Sequence, residues 1–66
     1  MHTLTEQIKP DPRRVAYATG WFAAFDHGTV SDLARLVGQY RSEADRAAML
    51  DGWTHGREAR ARLVAA

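Results

Sequence analysis

Sixty-six residues without cysteine make one small domain that has neither disulfides nor thiolate metal sites and buries only a modest share of its surface. Nine Lys and Arg against eight Asp and Glu leave a net charge of +1, too little for a dominant electrostatic nucleic-acid footprint, while a hydrophobic content of 45% belongs to a globular chain. No apolar run approaches the roughly 18 residues of a membrane span, and residues 1–10 lack the apolar core of a signal peptide, so the expected setting is cytoplasmic, with no membrane partner.

Residues 1–10 read as a flexible amino-terminal tail, with Leu4 and Ile8 its only apolar side chains beyond Met1, and residues 11–66 as a single small helical domain. Pro10 and Pro12 each restrict the residue before them and forbid a helix through this point. Asp11-Pro12 is a helix start: the carboxylate caps free amide groups, and proline's missing donor costs nothing at the first helical position. The first helix is predicted from Pro12 to Asp26 or His27, with Gly28 as the left-handed residue of its cap. Val15, Ala18, Phe22 and Phe25 form one apolar stripe, and Tyr17, Trp21 and Ala24 a second beside it. That surface is wider than one packing partner needs.

Ser31 is the expected cap of a short second helix over Asp32–Gln39, whose buried face is Leu33, Leu36, Val37 and Tyr40 and whose end is weakened by Gly38. Ser42-x-x-Asp45 approximates a capping box and opens a third helix, expected to reach about Leu63. Met49, Trp53, Gly56, Arg60 and Leu63 make one stripe on it, and Ala47, Leu50, Thr54, Arg57 and Val64 a more polar neighbour. No alternating β-branched run and no internal repeat competes. The predicted fold is all-α: two longer packed helices with a short helix in the connector.

Gly52 and Gly56 lie one turn apart on one side of the third helix, bracketing Trp53. Each glycine costs a helix roughly 0.5–1 kcal/mol relative to alanine, so a close backbone approach is the expected compensation. Gly20, set among Tyr17, Trp21 and Phe22, is the matching position on the first helix. Gly20, Gly52, Trp53 and Gly56 are therefore the expected helix-crossing residues, with Trp53 in the core.

Little in the chain points to catalysis. Asp51, His55 and Glu58 share a helical face at spacings that suit a metal, but the same pattern describes a solvated face with helical ion pairs, which is the preferred interpretation. His27 before Gly28 suits a helix end, where a cation meets the dipole. There is no glycine-rich phosphate loop, no nucleophile elbow and no thiol, so no catalytic residue, cofactor or metal is expected and the protein is read as a non-enzyme. Arg57, Arg60 and Arg62 cluster near the end of the third helix, where they complement the dipole or form a small phosphate-contacting patch. Arg13 and Arg14 open the first helix against its dipole and call for a partner or an ion pair. Tyr17 and Trp21, if uncovered, mark an interface.

Tyr17-x-x-Gly20, Tyr40 and Arg46-x-x-Met49-Leu50-x-Gly52-Trp53 together resemble ribosome modulation factor and its phage- and plasmid-borne relatives, the Rmf/CrpP-like small proteins. The resemblance spans roughly residues 13–60, and Arg46 to Trp53 is its most specific part. It implies a helical pair that binds the small ribosomal subunit near the 3′ end of its RNA, silences initiation and promotes ribosome pairing. The chain departs from that family in its near-neutral charge, in Gln39 where the family has proline, and in a longer connector.

The function expected from the resemblance is a ribosome-associated modulator contacting the small subunit and its RNA. Near-neutral charge and surplus aromatics point instead to a small phage- or plasmid-type protein that inhibits a host protein complex. An enzyme, such as an antibiotic-modifying one, is the third option and has no catalytic constellation behind it. In either binding role Arg13, Arg14, Tyr17, Trp21, Arg57, Arg60 and Arg62 are the candidate contact residues. A homodimer with Trp21 at or near the seam is expected, because a core this small gains from covering one self-complementary patch twice.

Overall fold

The computed structural model describes residues 11–65, so the segment 1–10 expected to be a tail lies outside them. The described chain is all helical: α1 spans Pro12–Asp26, α2 Val30–Gln39 and α3 Glu43–Ala65. Two longer helices pack on each other with the short one between them in sequence, and nearly all the tertiary contact is between α1 and α3.

Asp11 stands in an extended conformation before α1 and accepts the Arg13 amide at 2.9 Å, while Pro12 occupies the first turn. At the other end Gly28 adopts φ +66°, and the amides of His27 and Gly28 both donate to the Ala23 carbonyl at 2.9 and 3.0 Å. The second helix begins earlier than expected. Thr29, not Ser31, is its cap: the Thr29 hydroxyl accepts the Asp32 amide at 3.1 Å and donates to the Asp32 carboxylate at 2.8 Å. This reciprocal pair needs a carboxylate three residues after the cap, which Thr29 has in Asp32. Ser42 precedes α3 and accepts the Asp45 amide at 3.4 Å.

The core consists of Ala16, Ala24, Leu36, Met49 and Trp53, with Leu33, Val37 and Tyr40 of the α2 region packed against it. On α1 the buried line is Ala16, Gly20 and Ala24, not the expected stripe of Val15, Ala18, Phe22 and Phe25. Val15 is 52% and Phe22 60% exposed. The reason is backbone proximity. A Cβ at Gly52 would meet the Tyr17 carbonyl carbon at 2.8 Å and the Trp21 nitrogen at 3.0 Å, and one at Gly20 would meet the Met49 carbonyl carbon and the Trp53 nitrogen at 3.0 Å. One at Gly56 would lie 2.9 Å from the Trp21 carbonyl carbon. Only small residues fit a seam in which two helix backbones touch, so the large apolar side chains of α1 are turned aside from it.

Tyr17 lies against Gly52, Trp21 against Gly56 and Phe25 beside Arg60, in the same order along both helices. The two helices therefore run parallel. A parallel pair cannot be joined by a tight turn: the chain leaving α1 must return along its length before α3 can start. α2, roughly 15 Å long at 1.5 Å per residue, supplies most of that return. α3 continues to Ala65, past the end of α1, and there Leu63 is 64% and Val64 75% exposed, with Val64 lining a hollow that it shares with Ala24 and Gly28. Leu63, on one stripe with Met49, Trp53 and Gly56 by its spacing, is exposed where those three are buried.

Candidate functional site

Tight approach at the glycine seam decides where the chemistry-bearing side chains go. Tyr17, Trp21 and Phe25 are half-buried along the flank of α1 that leans on α3. Trp21 stacks on Phe25 with centroids 5.0 Å apart and planes 9° from parallel, and meets Phe22 edge-on at 5.2 Å. Tyr17, Ala18, Trp21 and Phe22 line a shallow apolar hollow that opens outward from α1. No charged residue interrupts α1 between Arg14 and Asp26, so this face is apolar along most of the helix.

Across the seam the Tyr17 hydroxyl is hydrogen-bonded to His55 Nδ1 at 2.7 Å. The trio Asp51, His55 and Glu58 is divided: His55 is engaged with Tyr17, Glu58 pairs with Arg62 at 3.8 Å, and Asp51 is exposed. Among the described residues no group of three His, Asp or Glu side chains is placed to hold a metal.

The three carboxyl-terminal arginines have different surroundings. Arg60 reaches across to the end of α1, where its guanidinium donates to the carbonyl oxygens of Phe25 and, at 3.4 Å, Asp26, and lies 6.0 Å from the Phe25 ring centroid. It binds carbonyls that the end of a helix leaves without intrahelical partners and complements the negative pole there. Arg62 forms an exposed helical ion pair with Glu58, a contact worth little in water. Arg57 is exposed and in no ion pair among the described residues. Arg57 and Arg60 share a hollow with His27, Gly28, Ala24 and Ala61, between the end of α1 and the late turns of α3. Arg13 and Arg14 are exposed at the opposite end of α1, away from this hollow.

Two features had no role in the sequence pattern. His27, read only as a helix end, lines the same hollow as Arg57 and Arg60. Arg46 donates to the Tyr40 carbonyl at 2.8 Å, tying the end of α2 to the start of α3, and its Nε is buried without a partner among the described residues. The spacing places Tyr40 on the buried face of the second helix and Arg46 only in a motif, and their contact bridges a bend that periodicity cannot show. Trp53 lies in the core at 5% exposure. No described helix is long and apolar enough to cross a membrane. Comparison of the chain with protein-family models, curated proteins and solved structures finds no match.

Proposed function

We propose that this chain is a non-enzymatic, cytoplasmic modulator that binds the small ribosomal subunit and its RNA and lowers translation. The supporting observation is that the residues resembling ribosome modulation factor converge. Gly20 sits against Met49 and Trp53, Gly52 against Tyr17, and Arg46 on the Tyr40 carbonyl. Gly20 and Gly52 thus build one crossing between α1 and α3, and Arg46 with Tyr40 fixes the bend that leads into α3. Leu50, a further motif residue, is 39% exposed. The test is sedimentation of the chain with ribosomal particles at rising salt. A modulator that contacts RNA phosphates travels with small subunits or whole ribosomes and is stripped as salt releases those contacts. A chain that stays at the top of the gradient at low salt rules the proposal out.

The apolar face of α1 favours a second reading, a phage- or plasmid-type inhibitor of a host protein complex. Phe22 is 60% exposed beside half-buried Trp21, in a hollow with almost no polar lining, while Arg60 and Arg62 are already engaged within the chain. Such an inhibitor would not sediment with ribosomes, and its capture of a protein partner would be lost on Phe22→Ser. The same face is where a homodimer would meet.

A further inference from the structure

We propose that the hollow between the carboxyl end of α1 and the late turns of α3 is a seat for a phosphate group, held by Arg57, Arg60 and His27. Three cationic or donor side chains from two elements line one depression together with Ala24, Gly28, Ala61 and Val64. Arg60 is pre-oriented, because the Phe25 and Asp26 carbonyls engage one guanidinium nitrogen, Nη1, and leave its other donors for a ligand. Arg57 stands one turn earlier on the same face of α3, free of any acidic partner among the described residues. Of the acids nearest in sequence, Glu58 pairs with Arg62 and Asp32 with Arg35, while Asp26, exposed and in no ion pair among the described residues, is not among the residues that line the hollow. Backbone amides contribute nothing at His27 and Gly28, since both donate to Ala23, so recognition falls to the side chains. A phosphate, with several acceptor oxygens and planar-fork complementarity to guanidinium, matches this donor set better than a carboxylate does.

The phosphate can come from an RNA backbone or from a free polyphosphate; RNA as its source rests on the ribosome reading, while the seat itself does not. The experiment titrates the full isotope-labelled chain with inorganic pyrophosphate and, in a second arm, with a short single-stranded RNA, following arginine Nε–Hε and histidine ring resonances. The expected result is saturable shifts at Arg57, Arg60 and His27, with Arg13 and Arg14 responding weakly and without saturation. Arg57→Gln should weaken binding about tenfold, as expected for losing a charge-assisted contact, and His27→Asn by less, with helix content unchanged. Tighter binding of RNA than of pyrophosphate at equal salt assigns the seat to a backbone phosphate, and the reverse order assigns it to a free polyphosphate. Equal responses at Arg57 and Arg13, or unaltered affinity in Arg57→Gln, overturn the seat. The two ideas fail separately. Saturation without sedimentation keeps the seat and removes the ribosome; sedimentation without saturation, undiminished in Arg57→Gln, does the opposite.

Discussion

Replacing Gly52 by alanine is a sharp test of the seam, because one methyl group sets two effects of opposite sign against each other. In an ordinary helix interior the change would stabilise by about 0.5–1 kcal/mol through reduced chain entropy. At Gly52 the new Cβ would meet the Tyr17 carbonyl carbon at 2.8 Å and the Trp21 nitrogen at 3.0 Å. Both obstacles are backbone, so no rotamer change can relieve the clash and the helices must move apart. Separation loosens the whole line from Ala16 to Gly56, including Trp53 and Met49. Overpacking in a tight contact costs about 1–3 kcal/mol, and backbone obstacles put this site at the upper end. The net expectation is a loss of about 1–2 kcal/mol, or a fall in Tm of roughly 5–15 °C for a domain of this size. Gly38 is the internal control: it lies in α2 with nothing within 4 Å of an added Cβ, so Gly38→Ala should raise Tm by a few degrees at most. Circular-dichroism melts at one fixed concentration read both. A Gly52→Ala chain as stable as the parent, or a shift of the same sign at both glycines, would refute the backbone-contact argument.

Four other outcomes follow from named contacts. Thr29→Ala should cost about 1 kcal/mol by uncapping α2, whereas Ser31→Ala should stay within about 0.5 kcal/mol, both read from chemical denaturation. Arg60→Gln should lower stability by about 1 kcal/mol because the carbonyls of Phe25 and Asp26 lose their donor, while Arg62→Gln should be close to neutral; equal losses would remove the cap from the account. Tyr17→Phe should cost about 0.5–1 kcal/mol through the lost bond to His55, and should cost nothing further in a His55→Ala background. Light scattering at micromolar concentration should return twice the 7.4 kDa chain mass if α1 pairs with its copy, and the single mass for Phe22→Glu; a parent already at the single mass excludes the dimer.

Local signals in the chain specify its elements. Asp11-Pro12 and Gly28 bound α1, Ser42 precedes α3, and the absence of an alternating run leaves no strand to form among the described residues. Gly20, Gly52 and Gly56 also announced a close approach, because a helix tolerates glycine poorly unless something is gained by the missing Cβ. The sequence leaves the start of α2 ambiguous because Thr29 and Ser31 are both good caps. What separates them is whether Asp32 can close the reciprocal pair, a matter of three-residue spacing.

The direction of packing was decided only in three dimensions. Periodicity shows that a helix has an apolar face, but not whether its partner runs parallel or antiparallel, and the partner's backbone is invisible to it. Once Tyr17, Trp21 and Phe25 lie against Gly52, Gly56 and Arg60 in register, the seam belongs to Ala16, Gly20 and Ala24, and the larger Val15 and Phe22 are left facing outward. The same register carries Arg60 onto the end of α1 and places His27 and Arg57 on one hollow, so three neighbouring arginines receive three different surroundings. Sequence determined the helices and the need for contact between them, because capping, propensity and steric size act within a turn or two. Tertiary structure alone decided which side chains the contact buries and which it leaves exposed, because that depends on the relative direction and offset of two segments far apart in the chain.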